Sequence, residues 1–324
     1  MSESRERPST ARLVAAFAAV YVFWGSTYLG IRFSIETLPP FFTQGVRFTL
    51  AGAVLYAWAR WKGNAAPSRR EWLGAAISGG LLFVGGTGAV VWAERYLPSG
   101  VAALVVATEP MAFVLIEAVR HRRIPKGLVL SGLALGTAGL AALVGPGNLL
   151  GAGRYDLRGI LVLVLGTFAW AGGSLFSRGS RLPSSPVMAT AATLLTGGAL
   201  VATVALAAGE LSRFNLATVS TKSVVATAYL FIFGSLVGFS AYLWLLRVTT
   251  ASRVSTYAYV NPIVAVFLGW ALAGEELTPR VFIAAAVIVG AVALIIRYGG
   301  EEVAPEKPEE ADLGCGKAEE QLHA

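Results

Sequence analysis

Disulfide, metal and histidine chemistry have almost nothing to work with in this chain. There is one cysteine, Cys315, and only two histidines, His121 and His323. No disulfide framework, multi-cysteine metal site or histidine-based triad can be assembled from them. No Gly-x-x-x-x-Gly-Lys-Ser/Thr loop occurs, so the chain binds no nucleotide by a P-loop and is not by itself an ATP-driven pump. No cofactor, metal or catalytic residue is expected. Charge is scarce as well: Asp, Glu, Lys and Arg make up 14% of the residues, and long stretches carry none.

Apolar residues fill the space that charge leaves. Of 324 residues, 55% are hydrophobic, and the mean hydropathy is +0.64. A soluble fold of this composition would leave much apolar surface in water, so lipid has to be the solvent. The formal net charge of +7 could suggest nucleic acid. The excess sits in one set of loops, however, where it would face anionic lipid headgroups, so no nucleic-acid partner is expected. The expected partners are a small-molecule substrate and the lipid bilayer, with the chain as a monomer or homodimer.

Crossing a hydrocarbon core of ~30 Å at ~1.5 Å per residue takes about 20 apolar residues. Spans are expected at Leu13 to Arg32, Phe41 to Trp61, Trp72 to Ala93, Ser99 to Val119 and Lys126 to Gly145. A second set follows at Leu157 to Arg178, Pro186 to Ala208, Ser223 to Leu246, Ser252 to Ala273 and Val281 to Arg297. Pro39-Pro40, Pro67, Pro98, Pro125, Pro146, Pro183, Pro186 and Pro279 mark the breaks. Arg5, Arg7 and Arg12 before an apolar run have the look of a signal peptide. The run lacks a clear cleavage site and nine more spans follow, so it reads as the first span.

With the N-terminus inside, the inner segments hold sixteen basic residues, among them Arg60, Lys62, Arg69, Arg70, Arg120, Arg122, Arg123, Lys126, Arg247 and Arg253. The outer segments hold seven: Arg32, Arg95, Arg154, Arg158, Arg213, Lys222 and Arg280. Both termini are therefore expected in the cytoplasm.

The chain also repeats itself. A shift of 146 residues lays Trp24 on Trp170, Tyr28 on Ser174 and Arg32 on Arg178; a shift of 152 lays Trp92 on Trp244, Arg95 on Arg247 and Pro110 on Pro262. Five spans per half is an odd number, so the second copy enters the membrane from the opposite side. The expected fold is an all-α membrane protein of ten transmembrane helices in two inverted five-helix repeats, the architecture of secondary transporters. Its parts are a cytoplasmic segment at 1–12, a first repeat at 13–145, an external connection at 146–156, a second repeat at 157–297 and a disordered acidic cytoplasmic tail at 298–324.

Trp24-Gly-Ser-Thr-Tyr28, the run from Pro98 to Thr108, Trp170-Ala-Gly-Gly-Ser174, Tyr257-Ala-Tyr-Val-Asn-Pro262, Gly269-Trp270 and Gly274-Glu275 resemble the EamA family of the drug/metabolite transporter superfamily, its YedA-type exporters in particular. The resemblance runs from about Ala11 to Arg297 and is most specific at Tyr-Val-Asn-Pro followed by Gly-Glu. It implies a ten-helix, multi-pass carrier of the inner membrane that exports amino acids or other metabolites.

Glu109 is the residue that demands most explanation. It lies ~15 Å into its span, near the middle of the core, where an ionised carboxylate costs roughly 2.5 to 3.5 kcal/mol on insertion scales. The functional reading is a proton-coupling group beside the substrate path; the structural one is a neutral acid bonded to a neighbouring helix. Pro110 beside it frees a backbone carbonyl, and the repeat mate of the pair is Asn261-Pro262. Glu94, near a span end and followed by Arg95, reads as a surface ion pair or a gating group. Arg47 lies ~9 Å inside its span, close enough to snorkel outward or to bind substrate. Trp24 and Tyr28 share a helical face with Tyr21 and Arg32, and Trp170, Ser174 and Ser177 do the same in the repeat. Such a stripe is most often packed core, but both tryptophans lie too deep for an interfacial belt, so they also qualify as cavity lining. Tyr242, Tyr257 and Tyr259 supply hydroxyls for substrate or for helix-to-helix bonds. The GxxxG spacings Gly132 to Gly136 and Gly234 to Gly238 read as helix packing, and Ile288 and Leu294 as lipid-facing.

The candidate substrate-binding set is thus Trp24, Tyr28, Arg47, Trp170, Ser174, Tyr242, Tyr257 and Asn261, with Glu109 and Glu94 for proton coupling or gating. The expected function is a secondary transporter exporting small metabolites by alternating access, with proton linkage. A membrane enzyme acting on lipid would need several acids or metal ligands gathered at the interface, and these spans offer isolated carboxylates. A solute channel is the third reading, which inverted halves with midplane polar groups make less apt.

Overall fold

The computed structural model describes residues 9–122, 127–144, 155–249, 254 and 256–302. Outside them lie Cys315, His323, Arg5, Arg7, Arg123, Lys126, Arg154, Arg253, most of the 146–156 connection and the tail from 303 onward.

Among the described residues the long helices group into ten, with no strand. These are α1 (Thr10–Ser34), α2 (Pro40–Trp61), α3 (Arg69–Ala93), α4 (Ser99–His121), α5 (Gly127–Val144), α6 (Leu157–Gly179), α7 (Pro186–Ala207), α8 (Thr221–Leu246), α9 (Tyr257–Ala273) and α10 (Pro279–Glu302). Seven of them (α1, α3, α4, α6, α7, α8 and α10) are long and apolar enough to cross a membrane, and α5 and α9 are shorter apolar helices. Their ends follow local chemistry. Pro40 and Pro186 sit in the first turn of α2 and α7, where a missing N–H is no loss. Ser68 and Glu71 form a capping box at α3, and Asp156 caps α6.

The two most intimate helix pairs join repeat mates. In α2 and α7, Gly45 faces Ala202, Thr49 faces Gly198, and Gly52 faces Leu195. One number rises as the other falls, so the mates run antiparallel. Glycine is needed at these contacts, because a Cβ on Gly45 would stand 2.6 Å from the Ala202 nitrogen. In α5 and α10, Gly132 meets Ile295 and Gly139 meets Ile288, again antiparallel. Ile288 is therefore wholly buried in that seam, not lipid-facing as the sequence suggested. Packed core and lipid are equally apolar and leave the same residue type behind.

Three helices contain π-helical stretches: Val20–Trp24 in α1, Gly80–Thr87 in α3 and Leu230–Gly238 in α8. The last two occupy repeat-related positions. The fourth helix is interrupted as well. Its first part ends at Val106, and a new helix begins at Glu109 with Pro110 in its first turn. The Glu109-Pro110 pair thus opens a helix and does not lie inside one.

Carboxylates of the second half tie down helix ends of the first. Glu275 accepts from the Ser99 backbone N–H and hydroxyl, both at 2.7 Å, and from the Gly100 N–H at 3.0 Å. Glu210 accepts from the N–H groups of Phe41 and Phe42 at 3.2 and 2.8 Å. Lys222 pairs with Glu36 at 2.7 Å. These contacts collect the 35–39, 94–98, 208–220 and 274–278 connections on one face of the molecule.

Candidate functional site

The three π-helical stretches and the α4 break converge on one cavity of about 110 Å³ between the halves, large enough for several waters or a small solute. Ile31, Val90 and Leu163 line it near the face just described, and Trp24, Trp170, Phe239 and Tyr257 line its deep end. At that floor the Trp24 and Trp170 rings meet edge to face, with centroids 5.7 Å apart. Trp24 also contacts Tyr242 at 4.7 Å and Tyr257 at 5.6 Å, and its indole N–H donates to the Gly234 carbonyl at 3.2 Å.

Two glycines seat this pair. A Cβ on Gly238 would lie 2.6 Å from Trp24 Nε1, and one on Gly86 would lie 2.8 Å from Trp170 Cε3. Gly86 and Gly238 are related by the same shift of 152 residues that relates α3 to α8. Gly234 and Gly238 are thus positions at which α8 packs on α1, against the Thr27 and Trp24 side chains.

Seven of the ten candidate residues line the cavity: Trp24, Tyr28, Arg47, Glu109, Trp170, Tyr257 and Asn261. The Tyr257 hydroxyl lies 2.7 Å from each oxygen of Glu109 and donates to the carboxylate. Both groups are buried. The neighbouring-helix partner expected for Glu109 is thus a phenol from α9. Arg47 does not snorkel. It is 5% exposed, and its guanidinium carbon stands 4.3 Å from the Phe48 ring centroid.

Three candidates do not line the cavity. Ser174 and Tyr242 share a hydrogen bond of 3.3 Å beneath the tryptophan floor, where they brace it. Glu94 is fully buried, not a surface ion pair with Arg95; Arg32 donates to its backbone carbonyl at 2.7 Å. The turn after α3 folds the side chain inward, which no local pattern announces. Tyr259 donates to the Val292 carbonyl at 3.2 Å, a helix-to-helix bond.

Thr27, Phe48, Phe83, Gly86, Thr87 and Thr167 also line the cavity and were not singled out from the sequence. The spacing of Gly85, Gly86 and Gly88 against Gly234 and Gly238 was the available signal.

The EamA-like transporter family matches the chain twice, over residues 12–145 and 157–297. The chain belongs to that family. This EamA-like transporter is 38% identical over 300 residues to the uncharacterized inner membrane transporter YedA of Escherichia coli, covering 91% of this chain and 94% of that one. It is 26% identical over 256 residues to Protein PagO of Salmonella typhimurium, covering 78% and 82%. A solved crystal structure with 21% sequence identity shares the fold at a TM-score of 0.62, covering 91% of this chain and all of the other. The chain is thus a multi-pass membrane transporter of the EamA family. The Gly274-Glu275 run of this transporter has a visible physical role, the cap on α4.

Proposed function

We propose that this EamA-like transporter exports small metabolites, amino acids or related amphipathic solutes, across the inner membrane by alternating access. In this reading ten spans form two inverted halves with both termini in the cytoplasm. The solute occupies the central cavity beside Trp24, Tyr28, Trp170 and Asn261, and Glu109 carries the coupled proton.

The observation that carries the proposal is the edge-to-face pair of Trp24 and Trp170, one from each half, closing the deep end of the central cavity. Two inverted halves that enclose one cavity can exchange which end of it is closed by rocking against each other. Below the floor, Tyr21 and Thr256 form a bond between the halves. In alternating access this bond would break when the inner end opens.

Single cysteines at Trp24, Tyr28, Trp170 and Asn261, in a Cys315→Ser background, test the path. Each should react with a small water-soluble thiol reagent, and a saturating transported solute should slow the reaction. Cysteines at Leu165 and Ile283, which are exposed on the outer surface of the bundle, should show no protection. A cavity set that stays unreactive in a transporting protein would move the solute path elsewhere.

A further inference from the structure

The geometry points to Arg47 as an anion anchor inside the central cavity, so that the solutes this transporter takes carry one carboxylate on an apolar body. The inference rests on the central cavity being the solute path and adds the chemical class that the cavity selects.

Arg47 lines the cavity and is 5% exposed. Its Nε and Nη1 meet no acceptor, and among the described residues no carboxylate forms an ion pair with it. Its guanidinium rests against the face of Phe48. A buried guanidinium without a counter-ion is expensive in any protein and more so within a bilayer. Its retention at a cavity wall implies that the missing partner arrives with the solute. Glu109 does not fill that role: it accepts from the Tyr257 hydroxyl, and among the described residues no ion pair joins it to Arg47.

One more orphaned polar atom belongs to a lining residue: Asn261 Oδ1 has no donor. The Arg47 guanidinium offers donors for one carboxylate. Asn261 Oδ1 offers an acceptor for an amine or hydroxyl on the same solute. Most of the remaining wall is apolar, with Phe48, Phe83, Val90, Val106 and Leu163 in it, and suits a ring or hydrocarbon body. One cation among such walls matches a single negative charge and not a phosphate dianion. An aromatic cavity could also hold a cation against its ring faces, but Arg47 would repel it.

Titration calorimetry and thermal melting of the purified full chain in detergent decide the matter, with phenylacetate, phenylalanine, phenethylamine and sodium chloride as probes. Phenylacetate and phenylalanine should bind and raise the melting temperature, whereas phenethylamine and chloride should do neither. Arg47→Gln should weaken phenylacetate binding roughly thirtyfold or more, the scale of losing one side of a buried charge pair. Arg47→Lys, which keeps the charge without the fork, should fall between. The empty Arg47→Gln protein should melt at the same temperature as the parent or higher, since a charge without a partner has been removed.

Equal binding of phenethylamine or of chloride would overturn the assignment, as would failure of both carboxylates to bind. An affinity changed less than threefold in Arg47→Gln, or a melting temperature lowered by several degrees in the empty variant, would make Arg47 structural. Any of these results with solute protection of the Trp24 cysteine intact would leave the central path standing and remove only the anchor.

Discussion

Trp24 and Trp170 meet at 82° between ring planes with their centroids 5.7 Å apart, although 146 residues separate them in the chain. Each ring rests on a glycine of the opposite half, Trp24 on Gly238 and Trp170 on Gly86. The pair is thus a local pseudo-twofold: ring on ring, and each ring on a glycine of a π-helical stretch or its edge. π-Helical turns in long helices recur at functional sites because they aim side chains that a regular helix would misplace.

That seating makes the two glycines sensitive in a specific way. Gly238→Ala and Gly86→Ala should each cut transport at least about tenfold, since overpacking a rigid ring costs on the order of 1–3 kcal/mol. Trp24→Phe, which removes the indole atoms nearest Gly238, should restore part of the loss in Gly238→Ala but not in Gly86→Ala. Initial rates of solute counterflow in vesicles measure both. Equal rescue of the two glycine variants would contradict the pairing.

Glu109 should govern how transport responds to pH. The Glu109→Gln side chain keeps the size and the Tyr257 contact but cannot release a proton. Its transport should lose most of its dependence on an imposed pH gradient while the protein still inserts and solute still protects a cysteine at Trp24. A pH profile superimposable on the parent's would return Glu109 to a structural role.

Glu275 should matter to stability more than to the solute. It satisfies three donors at the start of α4, and removing the acceptor from partly buried N–H groups costs about 1–3 kcal/mol. Glu275→Ala should therefore lower the melting temperature in detergent clearly, with Glu275→Gln milder because one carbonyl oxygen remains. Unchanged melting in the alanine variant would show that water replaces the cap.

Orientation is open to direct measurement. Reporters fused after Arg123 and after Arg297 should be cytoplasmic, and one after Asp156 external, following the sixteen-to-seven distribution of basic residues. A periplasmic signal from the fusion after Arg297 would refute the ten-span arrangement.

Sequence alone set the approximate positions of the helices, the repeat and the family. Hydropathy, proline placement and basic loops act through neighbours in the chain, so the helix from Pro40 and its mate from Pro186 could be read off directly. What lies across a helix could not. Lipid tails are as apolar as a leucine core, so a residue facing lipid and one packed on another helix have the same character; Ile288 looked lipid-facing for that reason. Glu94 turned inward, Ser174 and Tyr242 became braces, and Arg47 stayed in the cavity instead of reaching the surface. Each outcome depends on which helix stands opposite, and on π-helical stretches and a broken α4 that rotate side chains by part of a turn. Only the packed bundle settles those rotations, because the backbone bonds that a π turn or a proline frees must find partners, or a cavity, among helices distant in sequence.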